Sequence, residues 1–322
     1  MSKLLEYNAT LVAREDLEPT LSIFRLRPDS VEHHGEGPWF VPGQYVTIGM
    51  NREVVEGASD PRPLSVRRPM SIASSPDEMP ELEFYIRKVG EPESDLPLTH
   101  VMWPIAVGDR MYCRTVPTGH FTLEGTVGLE DRRLKLCVAA GTGLAPFVSI
   151  ARARVRRDPK ARLDDLAIVH GASHATGLGY RAELERYAAE NGLVYVPCVS
   201  RPQGDWGGWR GRAESICEPA RRAEAEAALR LAPGELRPDK VAVLICGLNG
   251  TIANTITGLL DRGFVPDNRK LRRALEVHDD HPPTVYWEQY DNTPVIDVKD
   301  ATLVGELRRT LHEAFAKQTP AP

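Results

Sequence analysis

RLKLCVAAGTGLAPFVSIARARVRRD, residues 133–158, decides the fold. RLKLCVAA (133–140) is an almost continuous apolar run, the composition of a strand covered on both faces. GTGLAP (141–146) breaks the run, and FVSIARARVRRD then reads as a helix. Strand, glycine turn and helix in that order open a parallel α/β unit. Glycines let the backbone turn tightly and come close to a ligand. Exposed N–H groups at a helix start favour a pyrophosphate. The stretch lacks the full spacing of the dinucleotide fingerprint, so a plain strand–helix turn remains the other reading of these residues.

The alternation continues downstream. LAIVHG (166–171), LVYVPCVS (193–200) and VAVLICG (241–247) read as strands, with helices in RAELERYAAENG (181–192) and ANTITGLLDRGF (253–264). CGLNG (246–250) is a second glycine-bearing strand end, where ligands of parallel sheets collect. RRAEAEAALRLA (221–232) reads as a further surface helix. Residues 300–316 have helical periodicity, and TPAP (319–322) reads as a disordered end. Upstream the pattern is β-rich. TLVAREDLEPTLSIFRLR (10–27) holds two alternations around a polar turn, and Pro42-Gly43 precedes a strand-like YVTI. LEFYIRKV (82–89) alternates, GDRMYC (108–113) enters a strand, and a short helix fits near 98–105. Short strands with Gly/Pro turns indicate a sandwich or small barrel over residues 1–128, and the strand–helix alternation a C-terminal parallel-sheet α/β domain over residues 129–290. An extension, residues 291–322, follows.

Composition narrows the function. The 322 residues carry a formal net charge of −5, which argues against a phosphate-backbone binder. No apolar stretch reaches the roughly 20 residues of a membrane span, and MSKLLEYNATLVARE lacks the apolar core of a signal peptide. The 5 cysteines are scattered without a CxxC pair, so a metal or iron–sulfur site has no support and a cytoplasmic chain with reduced thiols is expected.

A second motif is RRPMSIAS (67–74). Arg68 offers a planar fork to a phosphate, Ser71 a single directed hydrogen bond, and Met70 a polarizable surface for a ring. The other reading is a surface arginine beside a strand.

Taken in order, PGQYVTI, RRPMSIASSP, YIRKVG, PTGHF, AAGTGLAPFVSI, PCVSR and VLICGLNGTI resemble the ferredoxin–NADP reductase family, in particular its bacterial flavin-containing branch. The resemblance spans roughly residues 10–290. It implies an N-terminal antiparallel β-barrel that holds FAD and an α/β domain that binds NADP(H), with hydride exchange between nicotinamide C4 and flavin N5. It implies that Arg68 pairs with the FAD pyrophosphate and that Ser71 approaches N5. Pro69 and Met70 lie between them, Met70 where the family normally stacks a tyrosine. Arg87, Val89 and Gly90 match a second flavin-facing segment, and Thr99 a pyrophosphate-binding hydroxyl; a helix N-cap is the other reading of Thr99. Gly141, Thr142, Gly143 and Pro146 match the dinucleotide turn. Cys246 and Gly247 match the cysteine–glycine pair near the nicotinamide, where a buried core cysteine is the plainer reading. Glu288, in WEQYD (287–291), resembles a carboxylate that relays a proton or faces the partner; a plain exposed acid is the other reading.

For the nucleotide, the family's arginine after the strand matching LAIVHG is replaced by Ser173. Arg201 and Arg212 remain to grip a 2'-phosphate, so NADPH is expected over NADH; pairing with surface acids is the other reading of these two arginines. The implied electron partner is ferredoxin or flavodoxin. A reductase component of an oxygenase system and a free-flavin reductase are the alternatives within flavin enzymes, and a non-enzymatic dinucleotide-binding protein is the alternative outside them. The extension is expected to cover the flavin, to pack on the second domain, or to mediate oligomerisation.

Overall fold

The structure, a computed structural model, describes residues 4–31, 37–52, 64–91, 97–290 and 293–318. The chain packs as two compact units. One comprises Met1–Thr122 and Ala145–Pro159, the other Leu123–Leu144 and Lys160–Pro322. No helix among the described residues is long and apolar enough to cross a membrane. The TPAP end and Asp291 lie outside the described residues.

The first unit is built on six antiparallel strands: β1 (Ala9–Glu18), β2 (Leu21–Pro28), β3 (Tyr45–Arg52), β4 (Leu64–Ser71), β5 (Leu82–Arg87) and β6 (Arg110–Cys113). Their order in the sheet is β4-β3-β6-β1-β2-β5. Just past β4, the Ala73 N–H donates to the Glu83 carbonyl of β5 at 2.8 Å, tying the two end strands together. This is the expected antiparallel barrel. Phe24, Phe84, Ile48 and Leu11 are fully buried in its core. The turn before β3 depends on Gly43, with φ of 102° and an ideal Cβ 2.1 Å from the Phe121 carbonyl oxygen. Only glycine meets both demands.

Two expectations for this unit are corrected. β5 does not alternate between core and solvent, because Leu82–Ile86 are all buried. Its outward residue, Glu83, lies beneath the helix Ala145–Arg157, where Arg152 reaches it at 2.7 Å. Burial alone would raise the Glu83 carboxyl, but Arg152 and Arg25 outweigh it and hold the group below the usual carboxylate range. The short helix spans Leu98–Met102 with Pro97 as its N-cap, so Thr99 sits inside it and does not cap it.

The second unit is a six-stranded parallel sheet of β7 (Leu134–Ala140), β8 (Leu166–Ala172), β9 (Val194–Val199), β10 (Trp209–Arg210), β11 (Val241–Gly247) and β12 (Val285–Gln289). The order is β10-β9-β8-β7-β11-β12. The chain therefore winds outward from β7 on one side and then restarts at β11 on the other. Ligands of open α/β sheets bind at such a switch point, beyond the carboxyl ends of the strands.

The helix after β11 runs Asn249–Leu259, four residues earlier than its periodicity indicates. Gly250 lies in the first turn, where the N–H groups need no partner within the helix. The helix expected over 221–232 is limited to Arg222–Ala228, and it is not purely a surface element, because Ala225 and Glu226 are buried. Glu226 accepts the N–H groups of Gly234 and Leu236 at 3.0 and 3.1 Å, which pins the following turn. The extension forms the helix Ala301–Gln318. Its Leu307 and Leu311 join the core cluster of the second unit.

Candidate functional site

In the first unit the Arg68–Ser71 stretch ends strand β4. The ladder to β3 pairs Arg68 with Ile48, Pro69 with Thr47, Met70 with Val46 and Ser71 with Tyr45. β4 is an outer strand of the sheet, which is where a proline without an N–H is tolerated. Arg68 is exposed, and its Nη1 donates to the Arg67 carbonyl at 2.8 Å. Met70 is half-buried against the barrel core. Ser71 is buried. Along this strand a cation, a thioether and a hydroxyl thus follow one another from solvent to interior.

The Arg87–Gly90 segment, expected to face the flavin, lies beside the short helix. The buried Thr99 hydroxyl accepts the Val89 N–H at 3.2 Å. The Val89 carbonyl contacts His100 Nε2 at 2.6 Å. Val89 itself is exposed, and a Cβ added to Gly90 would meet nothing within 4 Å. Arg87 is committed elsewhere, with Nη1 donating to Glu18 Oε2 at 3.2 Å and to the Thr20 hydroxyl at 3.3 Å.

In the second unit, Gly141–Leu144 forms a single 3₁₀ turn between β7 and the helix Ala145–Arg157. Pro146 falls in the first turn of that helix, where its missing N–H costs nothing. An ideal Cβ on Gly143 would lie 2.0 Å from the Cys246 carbonyl oxygen. The turn therefore rests directly on the end of β11, and no other residue allows that approach. Cys246 is fully buried. Burial, and then the Glu288 carboxylate, push its thiol far above the ordinary range, while a hydrogen bond to Tyr290 pulls the other way. The thiol stays protonated, and Sγ donates to the Tyr290 hydroxyl at 3.3 Å. Glu288 sits opposite Cys246, and Gln289 opposite Gly247, in the β11–β12 ladder.

Ser173, Arg201 and Arg212, the residues expected to discriminate the nucleotide, lie just beyond the carboxyl ends of β8, β9 and β10. Ser173 is exposed, and its carbonyl accepts the Arg201 N–H at 2.9 Å. Arg201 is exposed. Arg212 is also exposed, with Nη1 3.9 Å from Glu214 Oε1. These three residues occupy neighbouring strand ends of one sheet.

Sequence reasoning missed Tyr290, the last residue before the extension. Its hydroxyl donates to the Thr142 carbonyl at 3.3 Å, so it bridges the glycine turn and Cys246. The available signal was the short β-branched and aromatic run VYWEQ ahead of it, which forms β12. Among the described residues, no group of three or more histidine, cysteine or acidic side chains is arranged to hold a metal ion.

Comparisons with known proteins agree with the fold of the two units. The oxidoreductase NAD-binding domain family matches residues 137–256. The chain is 30% identical over 240 residues to ferredoxin–NADP reductase A of Sorangium cellulosum, spanning 71% of this chain and 76% of that relative. It is 34% identical over 163 residues to the reductase subunit of an aromatic O-demethylase from Amycolatopsis, spanning 50% of this chain and 43% of that one. In fold it is similar to a ferredoxin NADP+ reductase from Neisseria gonorrhoeae solved with bound FAD and NADP. That likeness has a TM-score of 0.66 at 21% identity and covers 89% of this chain and 100% of the other. A barrel with the arginine-to-serine strand, a parallel sheet with its glycine turn at the switch point, and a relative matched over most of its length lead to one conclusion: the chain belongs to the ferredoxin–NADP reductase family.

Proposed function

We propose that this oxidoreductase holds FAD on residues 1–128, binds NADPH on residues 129–290, and passes electrons to a ferredoxin or flavodoxin. The observation that carries the reading is the succession of Arg68, Met70 and Ser71 along one outer strand, from exposed cation to buried hydroxyl. Those groups fit a flavin dinucleotide in order and in chemistry: a planar cation for the pyrophosphate, a thioether for a ring face, and a hydroxyl for a ring nitrogen. When bound, FAD supplies the chemistry, accepting an electron pair from reduced nicotinamide and releasing electrons singly.

The residues have correspondingly simple tasks. Arg68 and Thr99 hold phosphate oxygens, Thr99 using the hydroxyl proton that its bond from Val89 leaves available. Val89 and Gly90 give the cofactor an uncrowded surface. Arg87 would share its guanidinium with Glu18. Gly141, Thr142, Gly143 and Pro146 present backbone groups to the nicotinamide dinucleotide. Cys246 and Gly247 pack beside its ring, with the thiol as a protonated, apolar contact. Glu288 holds or passes a proton. Electron-pair transfer from nicotinamide needs no general base, so orientation and exclusion of water are the main contributions of the protein.

Arg201 and Arg212 are proposed to grip the 2'-phosphate in the absence of an arginine at Ser173. Arg212 must share itself with Glu214, so Arg201 carries the larger part. A second reading, a reductase component of an oxygenase system, is favoured by the similarity to the O-demethylase reductase subunit. Steady-state NADPH oxidation with ferredoxin, flavodoxin, an oxygenase component and free flavin in separate assays tests both. The proposal expects the highest kcat/KM with ferredoxin or flavodoxin, and a fall of about tenfold or more in the NADPH-to-NADH ratio on Arg201→Ala. Turnover confined to the oxygenase component would establish the second reading instead.

A further inference from the structure

Four residues continue β4 beyond Ser71, and each has a fixed partner. The Ile72 N–H donates to the Gln44 carbonyl at 3.1 Å, and the Ala73 N–H to the Glu83 carbonyl at 2.8 Å. The Glu83 N–H donates to the Ser74 hydroxyl at 3.1 Å. The Ser75 N–H donates to Glu78 Oε2 at 2.7 Å. The helix Ala145–Arg157 completes the enclosure. Its Ser149 hydroxyl donates to the Ser74 carbonyl at 2.7 Å. Its Arg152 Nη1 lies 2.7 Å from Glu83 Oε1 and 3.4 Å from the Ala73 carbonyl. Ser149, Arg152 and Glu83 are all more than nine-tenths buried. Exposed neighbours extend the grip, with Arg156 bonded to Glu78 and Arg157 to Asp77.

This is costly chemistry for simple packing. A buried ion pair seldom stabilises more than apolar side chains of equal volume would, whereas directed bonds to two successive carbonyls fix a backbone in place. We infer that Arg152 and Ser149 are positioning residues for the flavin: they lock the Ala73 and Ser74 carbonyls and so hold the Ser71 hydroxyl, two residues upstream, at a set point against the cofactor. The inference rests on the proposed placement of flavin along Arg68–Ser71.

Two variants separate positioning from folding. Ser149→Ala removes one bond. The double variant Glu83→Met with Arg152→Met replaces the buried pair by apolar side chains of similar volume, often a neutral or stabilising change, and leaves the partly exposed Arg25, which also pairs with Glu83, to water. Purified proteins are compared by FAD content, urea midpoint, visible flavin spectrum, and kcat and KM for NADPH. The expected result is full FAD content, a changed flavin band envelope, and kcat lowered about tenfold with KM within about twofold, the signature of a misplaced reacting group. A flavin band and kcat equal to wild type in both variants would overturn the inference. Arg68→Ala serves as the control on the underlying placement. If that variant retains FAD as tightly as wild type, the placement itself fails and takes the inference with it; if it loses FAD while the other variants match wild type, only the positioning role falls.

Discussion

Gly143 has an ideal Cβ position 2.0 Å from the Cys246 carbonyl oxygen, so its identity is set by a backbone contact that no local pattern displays. The glycine itself was legible as a turn former; the reason for it was not, because its partner lies about a hundred residues downstream. The same holds for Cys246, whose buried side chain suits both a core residue and a ring neighbour. His170 passed without notice within the strand LAIVHG. It is fully buried, with Nδ1 3.3 Å from the Tyr195 hydroxyl, and Nε2 has no partner among the described residues. Burial lowers its pKa to about 3. The folded chain therefore keeps His170 neutral while the unfolded chain protonates it near pH 6.5. Stability from this group is full above that pH and is lost as pH falls from there toward 3, at about 1.4 kcal/mol per pH unit. Urea denaturation of wild type and His170→Gln at pH 7, 6, 5 and 4 should show the variant losing less stability with acid. Parallel curves would show that His170 takes up its proton without leaving the fold.

Among the elements, those carried by unbroken apolar runs were plain from sequence: β7, β8, β9 and β11 follow directly from composition. β10, two residues long, and β12 were not, since both are outer strands of the sheet and gain their form from a neighbour. β5 shows the reverse case. Its sequence alternates, yet a helix from a later part of the chain covers its polar side, and Glu83 is buried with Arg152 as its counter-ion. The C-terminal helix was legible as a helix but not in its placement. Leu311 is fully buried within the core cluster of the second unit, so the extension is part of that unit's packing. Leu311→Ala should destabilise the unit by about 2–5 kcal/mol through lost burial and a residual cavity. An unchanged urea midpoint would mean that the helix contributes nothing to the core.

At the scale of the molecule, one chain joins two kinds of sheet. The antiparallel unit offers a strand that runs from a cation to a hydroxyl; the parallel unit offers a switch point with a glycine turn. Fold class and family were readable from ordered short motifs, since each motif fixes a turn or a strand end by local chemistry. Met70 and Ser173, where the family resemblance implies an aromatic residue and an arginine, are the positions at which cofactor binding and nucleotide preference are expected to differ. Anaerobic titration of the purified protein with NADPH and, in parallel, NADH, following the visible flavin band, decides whether it is a flavoprotein reduced by NADPH. The expected result is a yellow protein whose extracted cofactor is FAD and whose band bleaches with one equivalent of NADPH, more slowly with NADH. A colourless protein, extracted FMN, or a flavin band unmoved by either nucleotide would contradict it.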